Sequence, residues 1–523
     1  LTYNNLTSTP SARNPLYTQL ANTAFTVDVV ALDASGNRVT NYASDADKTV
    51  TVALVDGSGA TACVSRTVRA TTALTYTKAG QPTDQGRKAV NISAVANAYP
   101  NLLCRVTDTN VTPNVVACSS DRFAIRPKTF AVSAALGAAT LKAGRDFTMT
   151  ADSGVTSAYD GTPAVVVANL RDHNAAAAGT LTGNFAAGTG ATAVGTFQYH
   201  DVGTISLLAD AVTDTSFANI DQPDDCVVGS TSNTASGGKV GCNVGSAAAG
   251  PFGRFYPDHF SYATTLTPGC NSSFTYMDQP KLGIALALSA NSFNGAVTTR
   301  YTAGYAQLGT FSITGDNGGT GVAVGRLNPA LPAFAWTNGS YAVNSTTTKF
   351  SRNATPDGSY ENFALKANIL TEPDGVAISG SSLSNTTKIR FGRLRLSNVY
   401  GSVSPLQMPV EAQYWSGNSW VKNSADTCTT LVAGNVLLSP AGWGVSIVGG
   451  NIQLAPTGPG SVSICADLGA DNGVACAATS AALSWLQSRW PGAATYNNDP
   501  SATATFGVFS PEGRRGVYNR EMY

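Results

Sequence analysis

Nine cysteines and three histidines are the side chains with most capacity for chemistry in this sequence. No Cys-x-x-Cys spacing occurs, so a structural zinc site is not expected. Three cysteine pairs are close in sequence. Cys104 and Cys118, Cys226 and Cys242, and Cys465 and Cys476 each flank a polar, turn-rich stretch. Each pair predicts a disulfide in an oxidising compartment, contributing about 3 kcal/mol in the chain-entropy model. Buried free thiols are the alternative. The odd count leaves one thiol over, and Cys270 is the candidate because no cysteine lies near it; Cys63 and Cys428 are left unassigned.

No catalytic constellation accompanies these residues. His173 sits in a polar loop, His200 precedes a turn, and His259 lies in a linker-like stretch. None neighbours a Gly-x-Ser-x-Gly elbow. The glycine-rich run 315–321 follows a strand pattern and precedes another, which makes it a hairpin tip rather than a phosphate cradle. The chain is therefore expected not to be an enzyme and to need no cofactor. Structural Ca2+ is the one alternative, raised by the oxygen clusters Asp45/Asp47, Asp221/Asp224/Asp225 and Asp316/Asn317. None of them reaches the Asp-x-Asp-x-Asp pattern. Aromatic stacking is the remaining route to a ligand. Tyr414, Trp415 and Trp420 fall on one hairpin, and Trp485 and Trp490 on a short helical pattern. They suit a sugar or protein partner, against the plain alternative of core packing.

Elements able to position such residues are almost all strands. Charged residues are only 12% and hydrophobic residues 43% of 523, with the polar share in Thr, Ser, Asn and Gly. That mix favours strands and turns. Net charge is zero, so nucleic-acid binding is not expected. No apolar run is long enough for a membrane span, and Leu1-Thr2-Tyr3 opens without a signal peptide, which is then removed or upstream. Period-two alternation marks strands at 25–31, 282–288 and 408–414. One helix is predicted near 481–490, from Leu483, Leu486 and Trp490 and the stop at Pro491-Gly492.

Weak repeats organise the chain. Gly36 to Tyr42 and Gly295 to Tyr301 share a six-residue spacing, with Gly154 to Tyr159 between them. Turns at Asp84-Gln85-Gly86, Asp201-Val202-Gly203 and Asp357-Gly358 each precede a strand. The joins repeat around Phe123, Phe255 and Phe391. Together these predict an all-β protein of tandem immunoglobulin-like β-sandwich domains near 1–127, 128–258, 259–390 and 391–523, the last with the short helix. Joins poor in Gly and Ser predict stiff linkers.

Several of these stretches resemble a known family. Cys118-Ser119-Ser120-Asp121-Arg122-Phe123-Ala124-Ile125-Arg126-Pro127 is one. Gly253-Arg254-Phe255-Tyr256-Pro257-Asp258-His259-Phe260, followed by Phe274-Thr275-Tyr276-Met277, is another. The run 391–401, the segment Pro409-Val410-Glu411-Ala412-Gln413-Tyr414-Trp415, and the ends Ala504-Thr505-Phe506-Gly507-Val508-Phe509 and Val517-Tyr518-Asn519-Arg520-Glu521 complete the set. They are similar to MshQ-like proteins, large secreted proteins associated with mannose-sensitive haemagglutinin type IV pili. The resemblance implies an extracellular protein of the Gram-negative cell surface, a pilus-associated adhesin or tip component. Its implied partners are type IV pilus components, with copies of the chain itself as the alternative; host or surface glycans are the further ligand that the aromatic hairpin would suit. The family offers no catalytic residue to carry over. A structural subunit that self-assembles head to tail into a filament is the alternative, its low charge favouring association and residues 1–20 serving as strand donor.

Overall fold

The computed structural model describes residues 16–137, 141–217, 220, 225–302, 310–371, 375–469, 476, 482–491 and 494–507. Most of the proposed donor segment and the acidic residues Asp221 and Asp224 lie outside these. The chain is all-β. Helix among the described residues is limited to the four-residue turn Gln81–Asp84 and five short 3-10 turns. Hydrogen-bonded ladders fall into four consecutive stretches, 19–126, 129–255, 259–390 and 392–506, and form tandem β-sandwiches. By contacts the chain divides into two units: Leu1–Asp258 with Asn291–Tyr301, and His259–Ala290 with Thr302–Tyr523.

In the first unit, Val- and Thr-rich runs make the central strands. Lys48–Asp56 pairs with Val68–Tyr76 on one side and Tyr99–Asp108 on the other, in a six-stranded sheet. Facing it, among the described residues, are the two strands Phe25–Val30 and Arg87–Ile92. Val27 and Val29 of the former point inward, as alternation requires, and pack with Val50, Val52 and Tyr76. The next stretch builds a seven-stranded sheet around Thr129–Ala135, Asp146–Asp152 and Thr192–Tyr199, and a three-stranded sheet of Leu170–Asp172, Gly203–Leu207 and Ala249–Phe255. Phe147, Phe197, Tyr199 and Phe255 meet in its core, with ring centroids 5.1–6.4 Å apart.

The second unit repeats the plan. Leu282–Asn291 pairs with Ser340–Phe350, and Thr310–Asn317 with Tyr360–Thr371, in two five-stranded sheets. The last stretch has three small sheets around Val410–Trp415, Asn451–Ala455 and Gly460–Ala466.

A shared device closes all four stretches: an early strand lies parallel to a late one. Gln19–Leu20 pairs so with Phe123–Arg126, Thr129–Ala135 with Val244–Ser246, Thr275–Tyr276 with Thr387–Arg390, and Val399–Gly401 with Ser501–Phe506. In the first stretch these are the first and last of the described strands, so the chain enters at one pole of that sandwich and leaves at the other.

The repeats are real, though two of their copies sit elsewhere than the sequence spacing suggested. Tight loops with single bridges six residues apart occur at Leu32↔Arg38, Arg171↔Ala177 and Asn291↔Val297. The middle copy is thus at 171–177 rather than 154–159. Ala31 N donates to Gly86 O, and Ala290 N to Gly339 O, both at 2.8 Å. Asn338-Gly339, both at positive φ, is therefore the counterpart of Gln85-Gly86, and Asp357-Gly358 is not. Backbone conformation is conserved between these turns and the aspartate is not, which is why a side-chain pattern misplaced them.

Three further expectations are corrected. The predicted strand 408–414 is broken at Pro409, which cannot donate to a ladder. Met408 pairs with Ile452 and Val410 with Leu396, in different sheets. Around 481–490 there is a 3-10 turn, Ser484–Leu486, in place of a helix; Ala481 lies outside the described residues. Backbone groups there pair across to neighbours, Leu483 N to Leu468 O and Ser488 with Asn498. The disulfide map changes most. Cys63 bonds Cys118, leaving Cys104 free and buried, and Cys270 bonds Cys428 across 158 residues. Strand parity forbids the expected Cys104–Cys118 bond. Cys118 lies opposite Arg105, so it shares the outer face with Arg105, whose guanidinium reaches Val64 O. Cys104 necessarily points to the core. The structure also bonds Cys226 to Cys242 and Cys465 to Cys476.

Mass spectrometry of non-reduced peptides will show a Cys63–Cys118 cross-link and leave Cys104 as the sole alkylatable thiol after unfolding. A Cys104–Cys118 peptide would contradict the parity argument.

Candidate functional site

Strand Gly392–Leu396 alternates arginine and leucine. Leu394 and Leu396 enter the core, which sends Arg393 and Arg395 to the opposite face. Its neighbour Val410–Trp415 places Gln413 opposite Arg393 and Glu411 opposite Arg395. A turn through Ser416–Ser419 then sets Trp415 opposite Trp420, with centroids 5.6 Å apart and rings edge to face. Arg393 donates to Gln413 Oε1 at 2.8 Å. Its guanidinium lies 4.1 Å from the Trp420 centroid and 5.2 Å from that of Trp490. Phe391 meets Trp420 and Tyr496, and Arg352 covers Phe391 at 3.8 Å. Burial depresses Arg352 and Arg393 to about 10, with Arg395 adding repulsion at Arg393, so both stay cationic at neutral pH. Such stacks contribute about 0.5–2 kcal/mol each.

The result is a half-exposed pair of indoles, fixed by backbone pairing and an arginine wedge. Flat π faces beside guanidinium donors can hold a sugar ring or an aromatic or acidic peptide side chain. Of the three aromatics singled out in the sequence, Trp415 and Trp420 are together. Tyr414 turns the other way, its ring covered by Arg390 at 4.1 Å. Trp485 packs against the core, and Trp490 joins the ladder.

Beneath this face is the junction of the last two stretches. Arg390, buried at the end of the closing strand Thr387–Arg390, donates to Asn423 Oδ1 at 2.7 Å and to both Glu361 carboxylate oxygens at 3.1 and 3.2 Å. Asn423 donates to the Tyr276 hydroxyl, which donates to Asp426 Oδ2, both at 2.8 Å. Asp426 also accepts from the amides of Cys428 and Thr429. Cys428 is bonded to Cys270, and Cys270, Phe274 and Tyr276 are buried in the core of the last stretch. Burial raises the Tyr276 hydroxyl pKa, and the Asp426 charge adds to this.

The junction in the first unit uses the same residue type. Arg126 ends the closing strand Phe123–Arg126 and is fully buried. It donates to Gly241 O, Pro127 O and Ser232 O at 2.7–2.9 Å. Burial depresses it to about 10. Gly241 and Ser232 belong to the loop closed by Cys226–Cys242, so a disulfide shapes the cap of a buried cation. Arg300 is a third anchor. It bonds Asp172 Oδ2 and Asp201 Oδ2, both at 2.9 Å, and Ala177 O at 2.7 Å.

The acidic clusters serve main-chain geometry in this structure. Asp45 pairs with Lys48, Asp47 accepts from Lys78 N, and Asp316 from Gly319 N. Asp225 is buried, its O accepting from Thr18 N. Among the described residues, candidate metal-ligand groups are Cys270/Asp426/Cys428 and Cys465/Cys476/Asp499. In both, the sulfurs are already in disulfides and offer no thiolate. His200 bonds Thr182 Oγ1 at 2.9 Å, and burial pushes the His173 imidazole below its usual 6.5. Arg126 and Arg390 went unmarked in the sequence, although each stands in a join motif. Asp426, Asn423 and Arg300 carry no local signal. Among the described residues no helix is long and apolar enough to cross a membrane.

The fold and its stabilised junctions define a disulfide-bonded protein of serial β-sandwiches. Residues 228–395 match the third domain of DUF6701, and residues 390–522 match its fourth domain. The two matches together span more than half of the chain, which belongs to the DUF6701 family. No curated protein matches the sequence. Among solved structures, the three N-terminal domains of the bacteriophage RB49 outer capsid protein Hoc are similar at 11% identity. That match covers 73% of this chain and 98% of that one, with a TM-score of 0.23. A Ca2+-stabilized adhesin that helps an Antarctic bacterium bind ice is similar at 11% identity, covering 93% and 94% of the two chains with a TM-score of 0.19. Likeness at this level carries no functional argument.

Two measurements check the anchors. Arg126→Met removes this donor from the buried Gly241 and Pro127 carbonyls, while Ser232 O keeps the Gly241 amide, and should destabilise the first unit by about 3 kcal/mol in denaturant unfolding. Asp172 is the pH-sensitive group. Burial opposes its ionisation, but the bonds from Arg300 and from the Asn174 and Ala176 amides outweigh this and hold its pKa below 3.8. Its stabilising contribution is thus present above 3.8 and lost as pH falls through the lowered value. Hydrogen exchange across Asn291–Tyr301 should accelerate on that acid limb, and the step should vanish in Arg300→Met.

Proposed function

We propose that this chain is a non-enzymatic adhesin of the Gram-negative bacterial surface, carried on a type IV pilus as an associated or tip component. Its ligand-facing surface is the Trp415/Trp420 hairpin, and its ligands are surface or host glycans. The observation that carries the reading is that indole pair, half-exposed and held in place by Arg393. Core packing alone does not call for two tryptophans at a solvent-facing hairpin tip.

Other features support it. Four disulfides suit an extracellular, oxidising compartment. Arginines and disulfides at the junctions suit a protein that carries load between an anchor and a ligand. The join motifs resemble those of MshQ-like proteins, and that resemblance is what supports the pilus association. On this reading the four ladder stretches are four domains near 1–127, 128–258, 259–390 and 391–523.

Replacing Trp415 and Trp420 by alanine should lower binding to a glycan microarray about tenfold or more, the loss of one or two stacking contacts, with the disulfide map unchanged. Immunogold imaging of native appendages should find single copies at pilus ends. A continuous repeat of this chain along a fibre would overturn the adhesin reading in favour of a self-assembling filament subunit.

A further inference from the structure

The sheet that carries the Trp415/Trp420 hairpin has three strands, Gly392–Leu396, Val410–Trp415 and Trp420–Lys422. Alternation and register divide their residues between two faces. Leu394 and Leu396 enter the core, with Val410 and Ala412 packed against it. The other face receives what the ladder sets opposite: Arg393 with Gln413 and Lys422, Arg395 with Glu411, and Trp415 with Trp420. Every charge in these strands is therefore on one side, three cations against one carboxylate. None of the Thr, Ser, Asn or Ala common elsewhere contributes to this face. In a chain whose 32 basic and 32 acidic residues balance, and whose charged share is 12%, that is a local concentration of positive charge beside two indoles.

The single carboxylate is engaged by a neutral group. Glu411 Oε1 accepts from Gln413 Nε2, and Gln413 Oε1 accepts from Arg393 Nε at 2.8 Å. Gln413 is only 4% exposed, so the relay is fixed beneath the surface. It holds the guanidinium by Nε alone. The two terminal nitrogens of Arg393 have no hydrogen-bond partner among the described residues, and the exposed Arg395 and Lys422 have no ion pair there. Arg393 and Arg395 also repel each other, a cost that a bound anion relieves. Trp415 has Trp420 as its one ring contact among the described residues, and Trp420 in turn lies 4.1 Å from the Arg393 guanidinium.

We infer that this face binds a carboxylate-bearing saccharide, its sugar ring resting on Trp415 and its carboxylate held by the terminal nitrogens of Arg393, with Arg395 and Lys422 flanking. The inference rests on the adhesin reading of the same hairpin and narrows its ligand from glycans in general to sugar acids. A planar carboxylate is the anion that a guanidinium fork matches with two parallel bonds. A sugar acid carries ring and carboxylate on one rigid unit, so both contacts form together. An acidic peptide has to order separate side chains to make them.

Isothermal titration of the full chain with oligogalacturonate, alginate oligomers and sialyllactose, each beside its methyl ester, compares the same rings with and without the charge. At least one free acid should bind about tenfold or more tighter than its ester, the worth of one charge-assisted bond. Arg395→Gln combined with Lys422→Gln should lower acid binding about tenfold and erase the preference for acid over ester. Trp415→Ala should weaken both ligands. Acids and esters that bind alike, with loss only in Trp415→Ala, would overturn this inference and leave the glycan reading standing. An intact chain that binds no saccharide, acidic or neutral, would overturn both. A Glu/Tyr copolymer bound as tightly as the best acid would overturn the choice of a saccharide over an acidic peptide.

Discussion

A buried arginine at the end of a closing strand is the constraint on which the junctions depend. Such a cation is costly to desolvate, and the cost is offset only when every donor finds an acceptor in fixed geometry. Arg126 finds three main-chain carbonyls, and Arg390 finds Asn423 and Glu361. The acceptors come from segments distant in sequence, 115 residues away for Gly241 and 33 for Asn423. A strand end satisfied in this way cannot move without exposing a charge to an unpaired site. The arginine therefore converts a short connection into a fixed one, and it needs no helix or large interface to do so.

Disulfides follow the same logic. Cys226–Cys242 shapes the loop whose carbonyls receive Arg126, and Cys270–Cys428 anchors the segment whose Tyr276 and Asp426 continue the network from Arg390. In each unit a covalent closure and a buried cation act on one junction. Sparse surface charge fits this arrangement: with charged residues at 12%, several of the arginines that remain are spent on internal contacts.

The outer aromatic ladder grows from that base. Phe391 directly follows Arg390, and Arg393 follows two residues later on the adjoining strand. Once the closing strand is fixed, strand alternation dictates which way Arg393 points, and backbone pairing brings Trp415 and Trp420 to it. The position of the indoles is thus a consequence of the junction and not of the hairpin alone.

Local periodicity made much of this legible beforehand. Alternation at 25–31 and 282–288, the hairpin at 414–421, and the all-β class follow from residue types at period two, which is a property of the extended backbone itself. The tandem β-sandwich plan was readable from recurring joins for the same reason. Pairings that cross long sequence distances were not. Nearness in sequence suggests Cys104 with Cys118, whereas facing parity across two strands sends their side chains to opposite sides. Cys270 looks solitary in the sequence because its partner is 158 residues away. Asp426, Asn423 and Arg300 are ordinary polar residues until folding buries them beside a partner. The sequence determined strands, turns and their order through local sterics and hydrophobic alternation; the tertiary structure decided which side chains meet, because contact across sheets depends on register and facing, which no local pattern encodes.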